Sequence, residues 1–247
     1  LRLGEAAERT ILSTASVNKN TVVVLFAGAP IDMSEWIDKV AAVVYAGFPG
    51  ERGGEAIVNV LTGKVNPSGK LSETFPLFYE DTPTADSYMD CKLTRYKEGI
   101  DVGYRYYDTY NKRVLFPFGH GLSYSTFVYK NLSLEKRGDC ALKVSYEIEN
   151  DSDTDGKEVS QIYVRSCGAY VYHPNKELKG FAKTAVKARK TEKVSILLGK
   201  RAFEYWSTAK DSWDIEDGVY EIIVGASVAE EKLSAKVKIE NGVLRLL

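Results

Sequence analysis

Carboxylates are the side chains of this sequence most able to do chemistry. A pair of them about 5–5.5 Å apart can cleave a glycosidic bond with retention, one acting as nucleophile and the other as acid and base. The carboxylates considered are Glu51, Glu55, Glu73, Glu98, Asp101 and Asp108. Most carboxylates in any protein are solvated, and spacing along a chain does not give distances in space. No catalytic pair is therefore assigned from these residues.

Glu98 differs from the other carboxylates because its neighbours are aromatic. It lies in the stretch 96–107, which also contains Arg105. A carboxylate among aromatic rings is expected to be partly buried, and a buried carboxylate needs a cation. We therefore predict an ion pair between Glu98 and Arg105 that pins this segment, rather than a catalytic role. His120, within 116–124, is predicted to lie in a packed turn.

Other kinds of site find little support in the spacing. The glycine-rich stretch 47–56 follows a predicted strand and opens a helix, but it lacks dinucleotide or phosphate-loop spacing and is interpreted as a tight turn. No Gly-x-Ser-x-Gly elbow accompanies His120 or His173, which argues against serine or cysteine nucleophiles. With two histidines and three widely spaced cysteines, we expect no metal centre, disulfide framework or cofactor.

Charge and hydropathy argue against two classes of partner. Residues 1–125 carry 13 Lys and Arg against 15 Asp and Glu, and residues 126–247 carry 20 against 19. Neither half has the basic surface of a nucleic-acid-binding protein. No apolar run reaches the roughly 20 residues that span a bilayer. The start, 1–5, has neither signal-peptide layout nor initiator Met, which suggests a fragment or processed chain. The compartment stays open, with cytoplasm slightly favoured over secretion.

The first part of the chain alternates helix and strand patterns. Helical periodicity covers 5–17, 33–39 and 51–61, and β-branched apolar runs cover 21–28 and 40–47. Such runs are typical of strands buried on both faces of a parallel sheet. We therefore predict an incomplete α/β sandwich with a mostly parallel sheet over residues 1–80.

The rest of the chain has a different character. Residues 81–125 are rich in Pro, Gly, Tyr and Asp, and are predicted to form a long ordered connection packed at a domain seam. From residue 126 the hydrophobic period becomes two, as in the alternating set Leu142, Val144, Tyr146 and Ile148. Short alternating strands separated by turn clusters predict an antiparallel, immunoglobulin-like β-sandwich over residues 126–247.

Several stretches resemble family 3 glycoside hydrolases, the family of many β-glucosidases. They are Ala46–Ala56 with Gly63–Leu71, then Glu98–Asp108, then Phe116–Phe127. Their order and spacing make the resemblance specific. The tail, with Glu177–Phe181 followed by Arg201–Trp206, resembles the fibronectin type III-like domain of such enzymes. The resemblance covers essentially the whole chain.

The resemblance implies a retaining β-glycosidase that hydrolyses terminal β-linked sugars. In that family the nucleophilic Asp lies on a TIM-like barrel domain, and the acid/base Glu precedes the helix that matches residues 5–17. Neither carboxylate maps onto a residue of this sequence, so no catalytic residue is expected within it and the chain alone is expected to be inactive. The implied partners are a β-glucoside-type carbohydrate and the barrel domain of the same protein.

The resemblance also implies a role for this segment, which is to wall the active site and brace the barrel. Aromatic and charged residues at a turn suit a domain seam, and the candidates are Glu98, Tyr104, Arg105, Tyr106, Phe118 and His120. Two alternatives stay open. The sandwich could bind polysaccharide by stacking, using Tyr163, Tyr170, Tyr172 and Trp206. It could also be a structural or adhesive domain without a sugar role.

Overall fold

The computed structural model describes residues 1–87, 93 and 95–247. Contacts between residues divide the chain into two compact units. The first consists of Leu1–Val65, Glu73–Gly99 and Lys112–Phe116, and the second of Asn66–Ser72, Ile100–Asn111 and Pro117–Leu247. The second unit is therefore discontinuous, because two short earlier segments fold together with the C-terminal part of the chain.

The first unit combines two helices with short strands. Its elements are α1 Glu5–Val17, β1 Val22–Leu25, β2 Ala42–Tyr45, α2 Gly53–Leu61, β3 Phe75–Pro76 and β4 Val114–Phe116, with 3-10 turns at Ile37–Lys39 and Tyr79–Asp81. Strands β1 and β2 pair in parallel, with Val22 opposite Ala42. The helix-like stretch 33–39 forms only the first of the 3-10 turns. Among the described residues, no helix combines the length and apolarity needed to cross a membrane.

Strands β1 and β2 are less buried than their composition predicted. Val23 and Leu25 are buried, but Val22 is 40% exposed and no residue of β2 is buried. A strand is covered on both faces only when other elements pack on both. This sheet has two strands, so the expectation of burial on both faces is wrong for β2.

The largest buried side chains of the first unit lie outside its helices α1 and α2. Met33, Trp36 and Phe75 are each at most 2% exposed. The rings of Tyr45 and Phe116 pack edge-on against Phe75, with centroids 5.3 and 6.3 Å away. Aromatic burial therefore supplies cohesion that the two-stranded sheet alone does not.

The second unit is an antiparallel β-sandwich. Its elements are helix α3 Tyr104–Thr109 and strands β5 Phe127–Lys136, β6 Leu142–Asn150, β7 Gly156–Cys167, β8 Glu177–Val186, β9 Thr191–Leu198, β10 Glu204–Ser207, β11 Ser212–Ile215, β12 Gly218–Gly225, β13 Glu231–Glu240 and β14 Val243–Leu246, with a 3-10 turn at Lys200–Ala202. One sheet has the order β14-β13-β12-β7-β8 and the other β5-β6-β9, and β10 pairs with β11 as a separate hairpin.

The alternation predicted for strand β6 is confirmed. The side chains of Leu142, Val144, Tyr146 and Ile148 are 0% exposed. They form one cluster with apolar residues of the facing sheet, including Ile222. Full burial of an aliphatic or aromatic side chain contributes about 1.5–3 kcal/mol, so this cluster is the main source of the unit's stability.

Within the described residues, no disulfide bond stabilises the fold. Cys140 and Cys167 carry free thiols, and Cys91 lies outside the described residues. Burial raises the pKa of the Cys140 thiol, so this group stays protonated and unreactive at neutral pH.

Candidate functional site

Helix α3 is held against the sandwich by aromatic side chains. Tyr104 stacks on Phe118, with ring centroids 4.7 Å apart, and meets the edge of Tyr163 at 6.2 Å. Tyr163 and Ile223 are both 0% exposed and form the core of this cluster. Aromatic pairs contribute about 0.5–1.5 kcal/mol beyond the area they bury. The structure thus brings together Tyr104 and Phe118, two of the predicted seam residues.

The hydroxyl group of Tyr104 also provides a hydrogen-bond acceptor for a backbone N–H of strand β8. It accepts a hydrogen bond of 2.7 Å from the backbone N–H of Leu178 in strand β8. A buried N–H without a partner would cost about 1–3 kcal/mol. Burial raises the pKa of Tyr104, although the bond from Leu178 opposes this effect. The phenol is therefore neutral at physiological pH and serves as a structural acceptor.

Charged residues of α3 find their partners at the start of strand β8. The Nη2 atom of Arg105 lies 2.6 Å from Oε1 of Glu177, and the two side chains are 33% and 19% exposed. The expected pair between Arg105 and Glu98 is thus replaced by one with a residue 72 positions later. Proximity in sequence suggested Glu98, whereas the fold presents Glu177 to the helix. Such long-range pairing cannot be read from spacing alone.

The second half of α3 is tied to the same strand entry. Asp108 accepts a hydrogen bond of 2.9 Å from the side chain of Asn175 and lies 3.4 Å from the ammonium group of Lys176. Lys176 is only 4% exposed and also pairs with Glu231, 2.5 Å away. Burial opposes ionisation of Glu231, but Lys176 and Arg165 outweigh it and hold the pKa of this carboxyl below its usual range. Each buried charge here has an opposite charge beside it, which is what burial demands.

Asp101 is a buried carboxylate just before α3. It is 4% exposed, and its Oδ2 accepts hydrogen bonds from the hydroxyl groups of Tyr110 and Tyr172. The bond to Asp101 raises the pKa of Tyr172, and burial acts in the same direction. The Tyr172 hydroxyl therefore stays protonated and keeps donating to Asp101. The contact links the loop that carries Tyr172 to the start of α3.

The turn that contains His120 is closely packed. Backbone bonds of 2.8 Å join Leu71 to both Gly119 and His120. Gly119 has a φ of +81°, and a Cβ atom there would lie 2.4 Å from the side chain of Gln161. Gly121 approaches Gly69 so closely that a Cβ atom would lie 2.2 Å from the Gly69 carbonyl oxygen. Only glycine fits these two turn positions.

Burial sets the ionisation of His120 within that turn. It lowers the pKa of the imidazole, with Lys70 acting in the same direction and Glu230 opposing both. A neutral imidazole inside a turn is consistent with the packing role predicted for His120.

A buried ion pair that the sequence reasoning missed lies next to this turn. Lys70 and Glu158 are 3.2 Å apart, with side chains 13% and 6% exposed. Glu158 also accepts a bond of 2.8 Å from the hydroxyl of Tyr129, and Lys70 donates to the carbonyl of Gly121. Glu158 lies on the same period-two face of strand β7 as the buried Ile162 and Val164, and this placement is the sequence signal that could have indicated a buried partner.

The remaining two seam candidates occupy different surroundings. Tyr106 packs against Tyr107 and Tyr110, with centroids 5.3 Å away in each case. Glu98 belongs to the first unit, where it is half-buried. Five of the six candidates therefore belong to the second unit.

Residues 100–111 and 117–125, called the anchor below, use their polar side chains in contacts that hold them against the sandwich. Arg105, Asp108 and Lys176 are used in ion pairs, and Tyr104 is used as an acceptor. Within the described residues, no group of three or more His, Cys, Asp or Glu is placed to hold a metal ion. The geometry supports rigid positioning of residues 100–111 and 117–125 against the sandwich.

Comparison with known families identifies the chain. The family described as "Glycosyl hydrolase family 3 C-terminal domain" matches residues 1–124, and the family described as "Fibronectin type III-like domain" matches residues 158–228. The chain belongs to glycosyl hydrolase family 3. The family 3 match covers the first unit's helices and strands together with α3, and the second match lies within the sandwich.

Relatives of this family 3 chain are considerably longer than the chain itself. Thermostable beta-glucosidase B of Acetivibrio thermocellus is 40% identical over 247 residues, which is 98% of this chain and 33% of the relative. An exo-alpha-(1->6)-L-arabinopyranosidase of Bifidobacterium breve is 39% identical over 96% of this chain and 31% of the relative. The chain thus spans about a third of the length of the curated relatives it matches.

Solved structures agree with the family 3 assignment. Beta-glucosidase of Kluyveromyces marxianus in complex with glucose superposes with a TM-score of 0.93 at 33% identity, covering 100% of this chain and 29% of that one. Beta-glucosidase 3B of Thermotoga neapolitana gives a TM-score of 0.91 at 34% identity, covering 100% of this chain and 35% of that one.

The four aromatic residues considered for polysaccharide binding differ in exposure in this family 3 chain. Tyr163 is 0% exposed, so the expectation that it stacks on a sugar is wrong; its ring is buried under Tyr104 and Phe118, on the face of β7 away from the sandwich core. Tyr170 is fully exposed, and Tyr172 and Trp206 are about half exposed. The sandwich surface therefore keeps aromatic rings that a ligand could reach.

Proposed function

We propose that this chain is the non-barrel portion of a retaining β-glycosidase that hydrolyses terminal β-linked sugars of the β-glucoside type. The proposal rests on one observation above the others. Relatives named as β-glucosidases align with nearly all of this chain but with only about a third of their own length. The remainder of such an enzyme, with a TIM-like barrel domain, would be the chain's partner, and a β-glucoside its substrate.

The catalytic carboxylates belong, in this proposal, outside the chain. A retaining enzyme needs a nucleophile that forms a glycosyl-enzyme, and an acid that protonates the leaving oxygen and then activates water. We assign the nucleophilic Asp to the barrel and the acid/base Glu to a segment preceding α1. The chain alone is then inactive, and residues 81–125 wall and brace the site.

Bracing is the role we assign to Glu98, Tyr104, Arg105, Tyr106, Phe118 and His120. The ion pair between Arg105 and Glu177 and the stacking of Tyr104 on Phe118 support it, because they fix the segment to a rigid sandwich. A wall held by packing and paired charges keeps its geometry when substrate binds, as positioning of reacting groups requires.

In the same proposal, residues 1–80 are an incomplete α/β sandwich with a mostly parallel sheet. Its exposed apolar side chains support this reading. Phe26 is 63% exposed, and Val58 and Leu61 of α2 are 56% and 46% exposed. Apolar residues exposed on short elements are expected where further strands or another domain cover them.

Hydrolysis of an aryl β-glucoside tests the proposal. The purified chain is expected to show no hydrolysis. A chimera in which this chain replaces the corresponding third of thermostable beta-glucosidase B is expected to be active, and the same relative truncated before that region is expected to be inactive. Hydrolysis by the chain alone would contradict the proposal, with Glu98 the first residue to replace. A folded but inactive chimera would also contradict it.

A further inference from the structure

The hairpin formed by β10 and β11 presents two tryptophans to solvent. Trp206 lies directly opposite Trp213 in the strand register. The two indole rings have centroids 5.5 Å apart and planes at 72°, so they form an L-shaped corner. The residues are 47% and 44% exposed. Both rings thus offer apolar surface outside the sandwich core.

Charged groups line this corner. The guanidinium carbon of Arg201 lies 3.1 Å from the centroid of the Trp213 ring and covers one of its faces. Arg201 also pairs with Glu204, 3.5 Å away, and Lys200 pairs with the same carboxylate at 3.1 Å. Arg201 is exposed, so donors on it remain within reach of a ligand. The corner is therefore apolar on its walls and polar on its rim.

Such a mixture of surfaces matches a particular ligand chemistry. A pyranose ring has an apolar face of C–H groups, which packs on indole, and a rim of hydroxyl groups, which bonds to charged side chains. Because Arg201 covers one face of Trp213, Trp206 offers the open stacking face and Trp213 stands as the side wall. Two rings at 72° fit one sugar unit rather than a flat row of several.

We propose that the corner formed by Trp206, Trp213 and Arg201 binds one pyranose unit of a β-linked glucan. The inference rests on the proposed function, because the choice of a β-glucan as occupant follows from relatives named as β-glucosidases. In the chain, the three residues of the site lie outside residues 81–125. It would keep the polymer near the enzyme without taking part in hydrolysis.

Tryptophan fluorescence of the unmutated 247-residue chain tests this site directly. The chain has three tryptophans, and Trp36 is 1% exposed. Quenching by acrylamide therefore reports almost entirely on Trp206 and Trp213. Cellotetraose, a β-linked glucan fragment, is expected to protect them from quenching, whereas α-linked maltotetraose at the same concentration is expected to protect much less. Equal protection by both, or none by either, would overturn the proposal.

Variants locate the site. Trp206→Ala is expected to weaken retention of the chain in gels that contain soluble β-glucan by about tenfold or more, as loss of a central aromatic anchor does. Trp206→Tyr keeps an aromatic ring and should retain most of the binding. Phe181→Ala, which removes another exposed ring of the sandwich, is the matched control and should leave retention unchanged. Equal losses in Trp206→Ala and Phe181→Ala would refute the assignment.

These experiments also distinguish glucan binding from self-association, and failure of the corner site from failure of the proposed hydrolytic function. Protection that rises with protein concentration and needs no glucan would mean that a second copy covers the corner, which refutes the proposal. An active chimera together with absent glucan binding by the chain overturns the corner site alone. Glucan binding together with an inactive chimera supports the corner site while the proposed hydrolytic function fails.

Discussion

At the scale of single residues, the ion pair between Arg105 and Glu177 is the sharpest test of the anchor. Both groups are partly shielded from water, so Arg105→Ala removes a charge-assisted contact and leaves Lys179, 3.1 Å away, as the remaining cation beside Glu177. We expect the free energy of unfolding to fall by about 1–2 kcal/mol. Thermal or urea denaturation of the whole chain measures this change.

Arg52→Ala is the matched control for Arg105→Ala. Arg52 pairs with Glu55 at 2.5 Å, but the two side chains are 81% and 53% exposed. Exposed pairs contribute little, so this variant should change stability by less than about 0.5 kcal/mol. Equal effects of the two variants would argue against an anchoring role for Arg105.

His120 should make the second unit sensitive to pH. Burial lowers its pKa in the folded chain, so between that value and the ordinary value of about 6.5 the unfolded chain binds more protons. Its contribution to stability is complete above the ordinary pKa and is lost as the pH falls through it toward the folded pKa. In His120→Gln the loss of stability from about pH 7.5 to about pH 5.5 should be smaller. Identical slopes in urea denaturation would contradict this expectation.

Residues of the anchor differ in how far the sequence reveals them. Tyr104 and Phe118 could be predicted because aromatic residues cluster around a glycine-rich turn. Glu177 could not, since it pairs with Arg105 only after strand β8 is placed beside α3. Lys70 and Glu158 were missed for the same reason: charged residues usually lie at the surface, and only the fold buries these two together.

At the scale of elements, the close approach of two loops depends on glycine. Gly121→Ala would place a Cβ atom 2.2 Å from the backbone carbonyl oxygen of Gly69, which cannot move aside as a side chain could. We expect a loss of about 1–3 kcal/mol from overpacking. Gly54→Ala is the contrasting control: it lies in α2 with open space around its Cβ position. That change should stabilise α2 by about 0.5–1 kcal/mol. If calorimetry found Gly121→Ala to be more stable than Gly54→Ala, both expectations would be contradicted.

Regular elements were the most predictable part of the fold. Helix α1 spans the residues that its periodicity indicated, and β6 buries the alternating set that the sequence marked. The apolar run 40–47 led to a wrong prediction of burial on both faces. Its composition shows that the strand could be buried, but not whether other elements cover it. Strand β2, at Ala42–Tyr45, has no buried residue in this chain.

At the scale of the whole molecule, the two units should differ in local stability. The sandwich core contains many side chains that are 0% exposed, whereas β2 of the first unit has none that is buried. Amide hydrogen exchange is expected to be slower in β6 and β12 than in β1 and β2, because backbone bonds under a large apolar core open only with the unit itself. Equal protection in both sets of strands would show that the units unfold together.

Residues 66–72 illustrate why compact units are hard to read from sequence. They follow helix α2 of the first unit, and the sequence therefore predicts that they belong to the same α/β region as that helix. The structure places them in the second unit, through backbone bonds of Leu71 to the turn at 119–120 and side-chain bonds of Asn66. Those bonds depend on sandwich loops far along the chain, which local patterns do not report.

Asn66 also bears on how this protein ages. Its side-chain amide makes four hydrogen bonds, donating to Ser125 and Asp155 and accepting from Ser123 and Tyr124. Spontaneous deamidation would replace two of those donors with a carboxylate oxygen and set it against the carbonyl oxygen of Asp155. That reaction begins with attack by the backbone nitrogen of the next residue, which must carry a hydrogen. The next residue is Pro67, whose nitrogen has none, so this junction is protected from a common form of chemical decay.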